Sequence, residues 1–234
     1  MNIFNNLDHT LCRILRRINR FVVEVIINNR IEKAHINNTG RLEEFLVNGR
    51  IGYCLRIRGK KLKYRLFAIK DKNYAALIDT NLQEKSFIKL LSDNNVPWLK
   101  NCVLASRNIR LNSSIIDFLV KCDNQYIYTE LKSAVLRYKQ IYAAYPDCPT
   151  IRGRRQIREL IKHVEGGGRS LIVFIAALPH VKGFKPYKHG DPVIAELLRE
   201  AEEKGVLIKA INIYYDPIKR SIVLANPDLP VLLN

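Results

Sequence analysis

Apolar and polar residues alternate in short runs along the first third of the chain. The runs end at Asn, Gly or charged residues, a pattern typical of strands joined by tight turns. Between the second and third runs, Asn38 or Thr39 can cap a short helix that carries Leu42, Phe45 and Leu46 on its inner side. Five strands interrupted by one helix are the order of an OB-like barrel, which we predict for residues 1–81. The predicted strands cover residues 21–28, 30–36, 52–58, 62–70 and 74–79.

The pattern changes after Asn81 to helical periodicity alternating with strongly apolar strands. Helices are predicted over residues 82–91, 154–163 and 192–203, and Gly166 and Gly205 follow two of them as stop signals. A mixed α/β unit is therefore predicted for residues 82–234, and the whole chain is expected to be an α/β (α+β) protein. Its strands are predicted at residues 113–120, 125–132, 170–178 and 206–214.

A carboxylate interrupts one of these apolar strands, because Asp117 lies within Ile-Ile-Asp-Phe-Leu-Val. A buried charge is costly unless it is paired, so its presence there requires a reason. The polar turn at residues 121–124 predicts a hairpin that brings Asp117 beside Glu130 on the next strand. Lys132 shares the face of Glu130, because side chains in a strand alternate between the two faces.

Two carboxylates this close repel each other unless a divalent cation binds or one of them is protonated. The pattern is that of a metal-dependent phosphodiesterase, with Asp117 and Glu130 as ligands and Lys132 beside the phosphate or the attacking water. Two ordinary interpretations stay open at this point. A Glu-x-Lys triplet also occurs in solvent-facing strands, and a single Asp can be a hydrogen-bonded structural residue.

The overall charge points to a polyanionic partner. The chain has 39 basic and 22 acidic residues, a net charge of +17 and a pI near 9.8. Nucleic acid, DNA in the first place, is the expected partner. An apolar fraction of 47% is enough to fill a hydrophobic core, so we expect the chain to be folded and not disordered.

No membrane span or secretory signal is predicted, because the most apolar early run, residues 21–27, is interrupted by Glu24. Five cysteines, none in a Cys-x-x-Cys pair, indicate free thiols in a reducing cytoplasm rather than a zinc or redox centre. They are Cys12, Cys54, Cys102, Cys122 and Cys148.

A basic hairpin is predicted around Gly59 and Lys60. A two-residue loop there would set Arg58 opposite Lys61 and Arg56 opposite Lys63 on one face. Like charges opposite each other destabilise a sheet, and a phosphate backbone bound to that face would neutralise them. The alternative is an edge hairpin kept soluble by its charges.

Two further basic clusters lie near predicted helix starts. The first precedes the first strand, at spacings that fit one side of a short helix, and comprises Arg13, Arg16, Arg17 and Arg20. The second opens the helix after the hairpin and comprises Arg152, Arg154, Arg155 and Arg158. Cations at a helix start oppose the helix dipole unless an anion binds there, so some of these arginines are expected to contact substrate phosphate.

Several segments together resemble the sugar fermentation stimulation protein A (SfsA) family along nearly the whole chain. They are residues 35–46, 48–49, 116–118, 130–133, 145–153 and 191–206. The resemblance implies an N-terminal OB-like domain, a C-terminal domain similar to PD-(D/E)xK nucleases, DNA binding and a link to sugar-utilisation genes. Three positions depart from the expected pattern: Leu131, Cys148 and Gln156, which stand where Val, Ala and His are expected.

The resemblance also implies residue roles. Asp117, Glu130 and Lys132 look like the nuclease triad, holding Mg²⁺ or Mn²⁺, and Glu84 on the preceding helix is the candidate for a further metal ligand. Gln156 can position a phosphate or a water. The nucleic-acid-binding residues predicted in all are Arg41, Arg56, Arg58, Lys61, Lys63, Arg65, Arg152, Arg154, Arg155 and Gln156. Two functions stay open: a metal-dependent nuclease, and a non-catalytic DNA-binding regulator of sugar-utilisation genes.

Overall fold

A computed structural model of the chain describes residues 1–59 and 61–234, so Lys60 of the predicted hairpin loop lies outside the described residues. Its helices are α1 (Thr80–Ser92), α2 (Ile151–Glu165) and α3 (Pro192–Glu203), with a 3-10 turn at Pro97–Leu99. Its strands are β1 (Asn2–Phe4), β2 (Thr10–Asn19), β3 (Val22–Ile27), β4 (Arg30–His35), β5 (Ile51–Arg56), β6 (Tyr64–Asp71), β7 (Tyr74–Leu77), β8 (Cys102–Leu111), β9 (Ser114–Cys122), β10 (Gln125–Ala134), β11 (Leu136–Tyr138), β12 (Tyr142–Tyr145), β13 (Arg169–Ala176), β14 (Gly183–Pro186), β15 (Leu207–Asp216) and β16 (Ser221–Asn226).

Strands β2 to β6 close into a five-stranded barrel. Antiparallel pairs join β2 to β3, β3 to β4, β2 to β5 and β5 to β6, and a parallel pair between β4 and β6 completes the ring. Alternate residues of β3, namely Val23, Val25 and Ile27, point inward and are buried. The prediction of an OB-like barrel is thereby confirmed.

The composition of the barrel differs from the prediction at one strand. Strand β2 is the fifth barrel strand, whereas β7 leaves the barrel and pairs with β15 of the second unit. The prediction of a helix carrying Arg13, Arg16, Arg17 and Arg20 is wrong, because these residues lie on or just after β2. Cys12 and Ile14 point inward at alternate positions along this segment and are buried in the barrel. This alternation of apolar residues, and not the spacing of the arginines, determines that the segment is a strand.

The predicted short helix after β4 is also wrong. The side chain of Asn38 accepts a hydrogen bond from the Gly40 backbone N–H at 2.9 Å, which forms a turn. Leu42 has a positive φ of 52°, a conformation that does not continue a helix. Leu42 and Phe45 are nevertheless buried, so the predicted inner residues reach the core from an irregular segment.

The second unit is built on a mixed sheet with the order β7-β15-β13-β10-β9-β8. Strands β10, β13 and β15 are parallel, and β8 and β9 extend the sheet as an antiparallel hairpin. Helices α1 and α2 pack on this sheet, α1 on β8 and β10 and α2 on β9 and β13. The predicted fold class, a PD-(D/E)xK nuclease-like α/β unit after the barrel, is confirmed. Strand β8, strand β16 and the small sheet of β11, β12 and β14 were not predicted.

Each α-helix begins at a side-chain cap. Asp79 accepts from the Leu82 N–H at 3.0 Å, Thr150 from the Gly153 N–H at 3.0 Å, and Asp191 from the Ile194 N–H at 3.3 Å. Helix α2 therefore starts three residues before the predicted start, which places Arg152 in its first turn. In the described part of the chain, none of the helices combines the length and the apolarity needed to span a bilayer.

The cysteine prediction is wrong for one pair. Cys102 and Cys122 face each other on β8 and β9 and form a disulfide. Among the described residues Cys12, Cys54 and Cys148 are free, the first two buried in the barrel and the third partly exposed. The sequence separation of 20 residues gave no hint of the pair, because only the β8–β9 register brings the two positions together.

Candidate metal and nucleic-acid site

The two acidic side chains meet where strands β9 and β10 begin to separate. The pairing of these strands runs as far as Phe118 opposite Thr129. At the next position the Asp117 carboxylate accepts from the Leu131 N–H at 2.8 Å, and the Glu130 carboxylate accepts from the Asp117 N–H at 3.2 Å. The carboxylates thus replace the backbone bonds of the ladder, and this fixes them side by side.

Lys132 and Gln156 extend this cluster. Lys132 Nζ donates to Glu130 Oε1 at 2.6 Å and to Gln156 Oε1 at 2.7 Å. The amide nitrogen of Gln156, which lies on α2, donates to the Ile115 carbonyl at 2.9 Å. Both the oxygen and the nitrogen of the Gln156 amide are therefore hydrogen-bonded. Glu130, Lys132 and Gln156 are all buried, with 2%, 7% and 2% of their surface exposed. The structure therefore brings together the three residues of the predicted triad and adds Gln156 as the partner of the amine.

The charges of the cluster do not balance locally. Burial, and then repulsion from Glu130, raise the pKa of Asp117 to about 6. Burial opposes the charge of Lys132, but the neighbouring acidic groups together, Glu130 first, outweigh it, and the pKa of Lys132 lies above its ordinary value. One ammonium thus faces two carboxylates, and an ionised Asp117 is left without a counter-charge of its own.

A cavity of about 320 Å³ opens onto these groups. Its lining includes Asp117, Glu130 and Lys132, together with Glu84 and Arg152 at its edge. Glu84 forms an ion pair with Arg107 of β8, and its charge adds to the repulsion felt by Asp117. The predicted additional acid thus lies in the same cavity, on the α1 side.

The donor set fits a hard divalent cation that keeps much of its water shell. Among residues 1–59 and 61–234, no three His, Cys, Asp or Glu side chains converge closely enough to hold a metal by themselves. Within the same described residues, Asp117 Oδ1 receives no hydrogen bond, whereas Oδ2 accepts from the backbone. Magnesium is usually held by one or two carboxylates with water completing its coordination, which is the set that Asp117 and Glu130 offer.

The basic residues of the predicted hairpin lie at the end of β5 and in the β5–β6 connection. Arg56, Arg58, Lys61 and Lys63 are all exposed. The predicted opposition of Arg56 and Lys63 is wrong, because Arg56 pairs with Tyr64 and β5 ends there. The connection spans residues 57–63 rather than two residues, so Arg58, Lys61 and Lys63 lie in a loop outside the ladder.

Two of the predicted phosphate-binding arginines are already paired with helix-capping acids. Arg65 Nε lies 2.8 Å from Asp79 Oδ2, and Arg154 holds both oxygens of Asp191 at 2.9 to 3.1 Å. The two acids neutralise Arg65 and Arg154, so neither guanidinium needs a phosphate to balance its charge. The remaining predicted arginines outside the hairpin, Arg41, Arg152 and Arg155, are exposed.

Residues 37–42 and 144–152 form the surroundings of the site, and the sequence pattern did not predict their arrangement. Asp147 accepts from the Leu42 N–H at 3.0 Å, which ties the two segments together. Burial raises the pKa of Tyr145, and the charge of the nearby Lys132 opposes this rise only in part. Both segments fall within the motifs that carry the family resemblance, and this was the available signal.

The fold and the site together define a class of protein: an OB-like barrel followed by a PD-(D/E)xK nuclease-like unit whose carboxylates and lysine converge in one cavity. Two family models match the chain, the SfsA N-terminal OB domain over residues 15–78 and the sugar fermentation stimulation protein RE domain over residues 81–219. The chain belongs to the sugar fermentation stimulation protein family.

Relatives in two archaea are similar over most of their length. A sugar fermentation stimulation protein homolog of Pyrococcus furiosus is 51% identical over 205 residues, which are 88% of this chain and 89% of that protein. The homolog of Archaeoglobus fulgidus is 42% identical over 233 residues and 100% of both chains. A solved structure described as Pyrococcus furiosus SfsA in complex with Ca²⁺ is also similar. It has a TM-score of 0.95, 46% identity and 99% coverage of both chains.

Proposed function

We propose that this protein is a divalent-metal-dependent nuclease that binds DNA and cuts its phosphodiester bonds. The observation that carries the proposal is the convergence of Asp117, Glu130 and Lys132, supported by Gln156, in one cavity with one negative charge left over. A bound divalent cation would supply the missing positive charge. A site that binds a cation needs the surplus.

Asp117 and Glu130 would hold Mg²⁺ or Mn²⁺, because hard oxygen ligands suit hard cations. Glu84 would assist from the α1 side of the cavity, through water. The similar Pyrococcus furiosus protein was solved with Ca²⁺, a cation with the same preference for oxygen ligands, and this supports the assignment. The bound ion would lower the pKa of a water and neutralise charge developing on the phosphate.

Lys132 would act on the phosphate or the nucleophile. Its raised pKa keeps it protonated at neutral pH, so it donates hydrogen bonds and does not serve as a base. Glu130 and Gln156 fix the position of Nζ, and a preset donor stabilises transition-state charge without reorganising. Gln156 is thus a positioning residue in this proposal.

The exposed basic residues would hold the nucleic acid. Arg56, Arg58, Lys61 and Lys63 lie on the barrel unit, and Arg152 and Arg155 lie on the first turns of α2, Arg152 in the lining of the cavity. Interactions of this kind, from Lys and Arg to phosphate, give affinity without reading sequence. The net charge of +17 supports the same partner.

The proposal is tested by incubating the protein with plasmid, single-stranded DNA and RNA in Mg²⁺, Mn²⁺ or EDTA. Cutting should require the metal and should fall at least about 100-fold in Asp117→Asn and in Lys132→Gln. Asp123→Asn is the matched control, because it removes an exposed acid from the turn of the same β9–β10 hairpin and should cut normally. Salt-sensitive binding with no cutting of any substrate would contradict the nuclease and leave a non-catalytic DNA-binding regulator.

A further inference from the structure

A second and larger cavity, which we call the inter-unit cleft, lies between the barrel and the α/β unit. One wall is residues 37–42 after β4, and the other is residues 144–152 before and at the start of α2. Its volume is about 650 Å³. It lies beside the metal site, and among the residues given roles above Arg152 alone lines it.

The cleft is continuous with the catalytic cavity. Both are lined by Thr39, Thr80, Ser133, Thr150 and Arg152. At its other end the cleft joins a third cavity, of about 490 Å³, which runs along the barrel past Arg17, Arg20 and Arg41. The three cavities form one track that leads from the barrel surface to Asp117 and Glu130.

The residues that line the cleft are suited to bind nucleotide bases inside it, with the sugar–phosphate backbone of the strand at its rim. Its walls include the apolar side chains of Leu42, Val135 and Leu136, and arginines stand at both ends, Arg20 toward the barrel and Arg152 toward the metal site. Proteins hold single strands by stacking bases on aromatic side chains beside a basic groove that follows the phosphates, and Tyr145 also lines the cleft.

The volume of the cleft, about 650 Å³, is that of a pocket for small molecules and not of a groove that encloses a duplex. It lies within the range of roughly 300–1,000 Å³ that takes compact organic ligands. One or a few unpaired nucleotides therefore fit where paired strands do not.

The walls are also fixed in place. The guanidinium of Arg17 donates to the carbonyls of Asn38, Gly40 and Arg41, and the Leu42 N–H bonds to Asp147 across the cleft. Asn38 in addition donates to the carbonyl of Ile78, just after β7, at 3.2 Å. A preformed cleft requires little ordering on binding, which favours affinity for a flexible strand.

We propose that the inter-unit cleft holds the unpaired bases of a single strand next to the bond that is cut, so that the substrate class is nucleic acid with a single-stranded segment. The choice of nucleic acid as the ligand of the cleft rests on the nuclease function proposed above. The cleft, with Arg20 at one end and Arg152 at the other, takes a single strand in preference to a duplex.

Cys148 is the probe for this proposal, because it lines both the cleft and the third cavity and is the one free thiol of the described residues that is not buried. Its alkylation by a maleimide is followed by mass spectrometry in EDTA, with a single-stranded oligonucleotide or a blunt duplex of the same sequence. Arg30→Cys in a Cys148→Ser background, at the exposed start of β4 and away from all three cavities, is the matched control for non-specific coverage.

The single strand should slow alkylation of Cys148 about tenfold at about ten times its Kd, because protection follows the bound fraction. The duplex should slow it less than about twofold at the same concentration, and the control thiol should be unaffected by either. Arg20→Ala should weaken protection by the single strand, whereas Arg30→Ala should not.

Equal protection by duplex and single strand, or no protection by an oligonucleotide that the enzyme cuts, would overturn the cleft proposal and leave the nuclease intact. Protection by the single strand without metal-dependent cutting would support the cleft and contradict the nuclease. The two proposals therefore fail separately.

Discussion

Two sites of this chain each place a buried Asp near a basic side chain and reach opposite electrostatic states. At the start of α3, Asp191 accepts from Arg154 and from the Thr150 and Ile194 N–H groups. Burial alone would raise the pKa of Asp191, but these donors reverse the effect and lower it. In the metal-site cluster, by contrast, burial and Glu130 raise the pKa of Asp117 to about 6.

The difference lies in the supply of partners. Asp191 has one cation and two backbone donors to itself, so its charge is satisfied by the protein. Asp117 and Glu130 share the single cation Lys132, which bonds to Glu130 and not to Asp117. Burial of an acid therefore does not by itself indicate function. The shortage of positive charge around Asp117 and Glu130, in a cavity that opens onto them, is the stronger indication, because a bound cation corrects it without protonating either acid.

Removing the satisfied acid should have the largest effect on stability. Asp191→Ala should lower the free energy of unfolding by about 4 kcal/mol, because it removes a helix cap and leaves Arg154 without its partner. Urea unfolding at pH 7 measures this. The lowered pKa means that the difference should shrink as pH falls through the pKa of Asp191, where the wild type loses the same interactions.

Asp228→Ala is the control for Asp191, since Asp228 is an exposed acid that also pairs with a basic side chain, that of Lys209, at 3.3 Å. Its loss should change stability by less than about 1 kcal/mol. Equal destabilisation by the two variants would break the comparison.

Neutralising Asp117, the acid without a counter-charge of its own, should stabilise the protein instead of destabilising it. Without metal, Asp117→Asn should raise the free energy of unfolding at pH 7 by up to about 3 kcal/mol, because the raised pKa of Asp117 is a penalty on its ionised form. The gain should be absent below about pH 4, grow up to about pH 6 and stay constant above. Urea unfolding in EDTA across this pH range provides the test, and a variant less stable than wild type at pH 7 would contradict it.

Metal binding should follow the same ionisation. The affinity for Mn²⁺ should fall by about tenfold per pH unit below about pH 6, because Asp117 must lose its proton to become a ligand. Calorimetric titrations at a series of pH values on both sides of this pKa measure the effect. An affinity independent of pH below about 6 would show that Asp117 is not a ligand, and Asp117→Asn should lose the dependence.

The smallest effect is expected at the exposed basic loop. Replacing Arg56, Arg58 and Lys63 by Ser should weaken DNA binding and lower its salt slope by about 0.7 to 0.9 for each phosphate that is no longer neutralised. Fluorescence anisotropy at several salt concentrations reports the slope. The same changes at Arg30, Lys33 and Lys72, exposed basic residues on other parts of the barrel unit, are the control. An unchanged slope would mean that the loop is only solvated.

Much of the site was accessible from local pattern. An acid within an apolar strand, a polar turn and a Glu-x-Lys triplet were enough to predict that Asp117, Glu130 and Lys132 meet, because strand alternation and hairpin pairing act over a few residues. Helix capping is equally local, and Thr150 caps α2 through a hydrogen bond to a residue three positions along the chain. The family resemblance added the nuclease-like fold, which periodicity alone did not specify.

The sequence by itself therefore determined the local elements, the shared face of Glu130 and Lys132, and the basic character of the surface. The tertiary structure alone decided that β2 closes the barrel, that Cys102 meets Cys122, that Arg65 and Arg154 are neutralised, and that Gln156 of α2 holds Lys132. The physical reason is range. Side-chain periodicity reports which face of an element is buried, but not which distant element covers it.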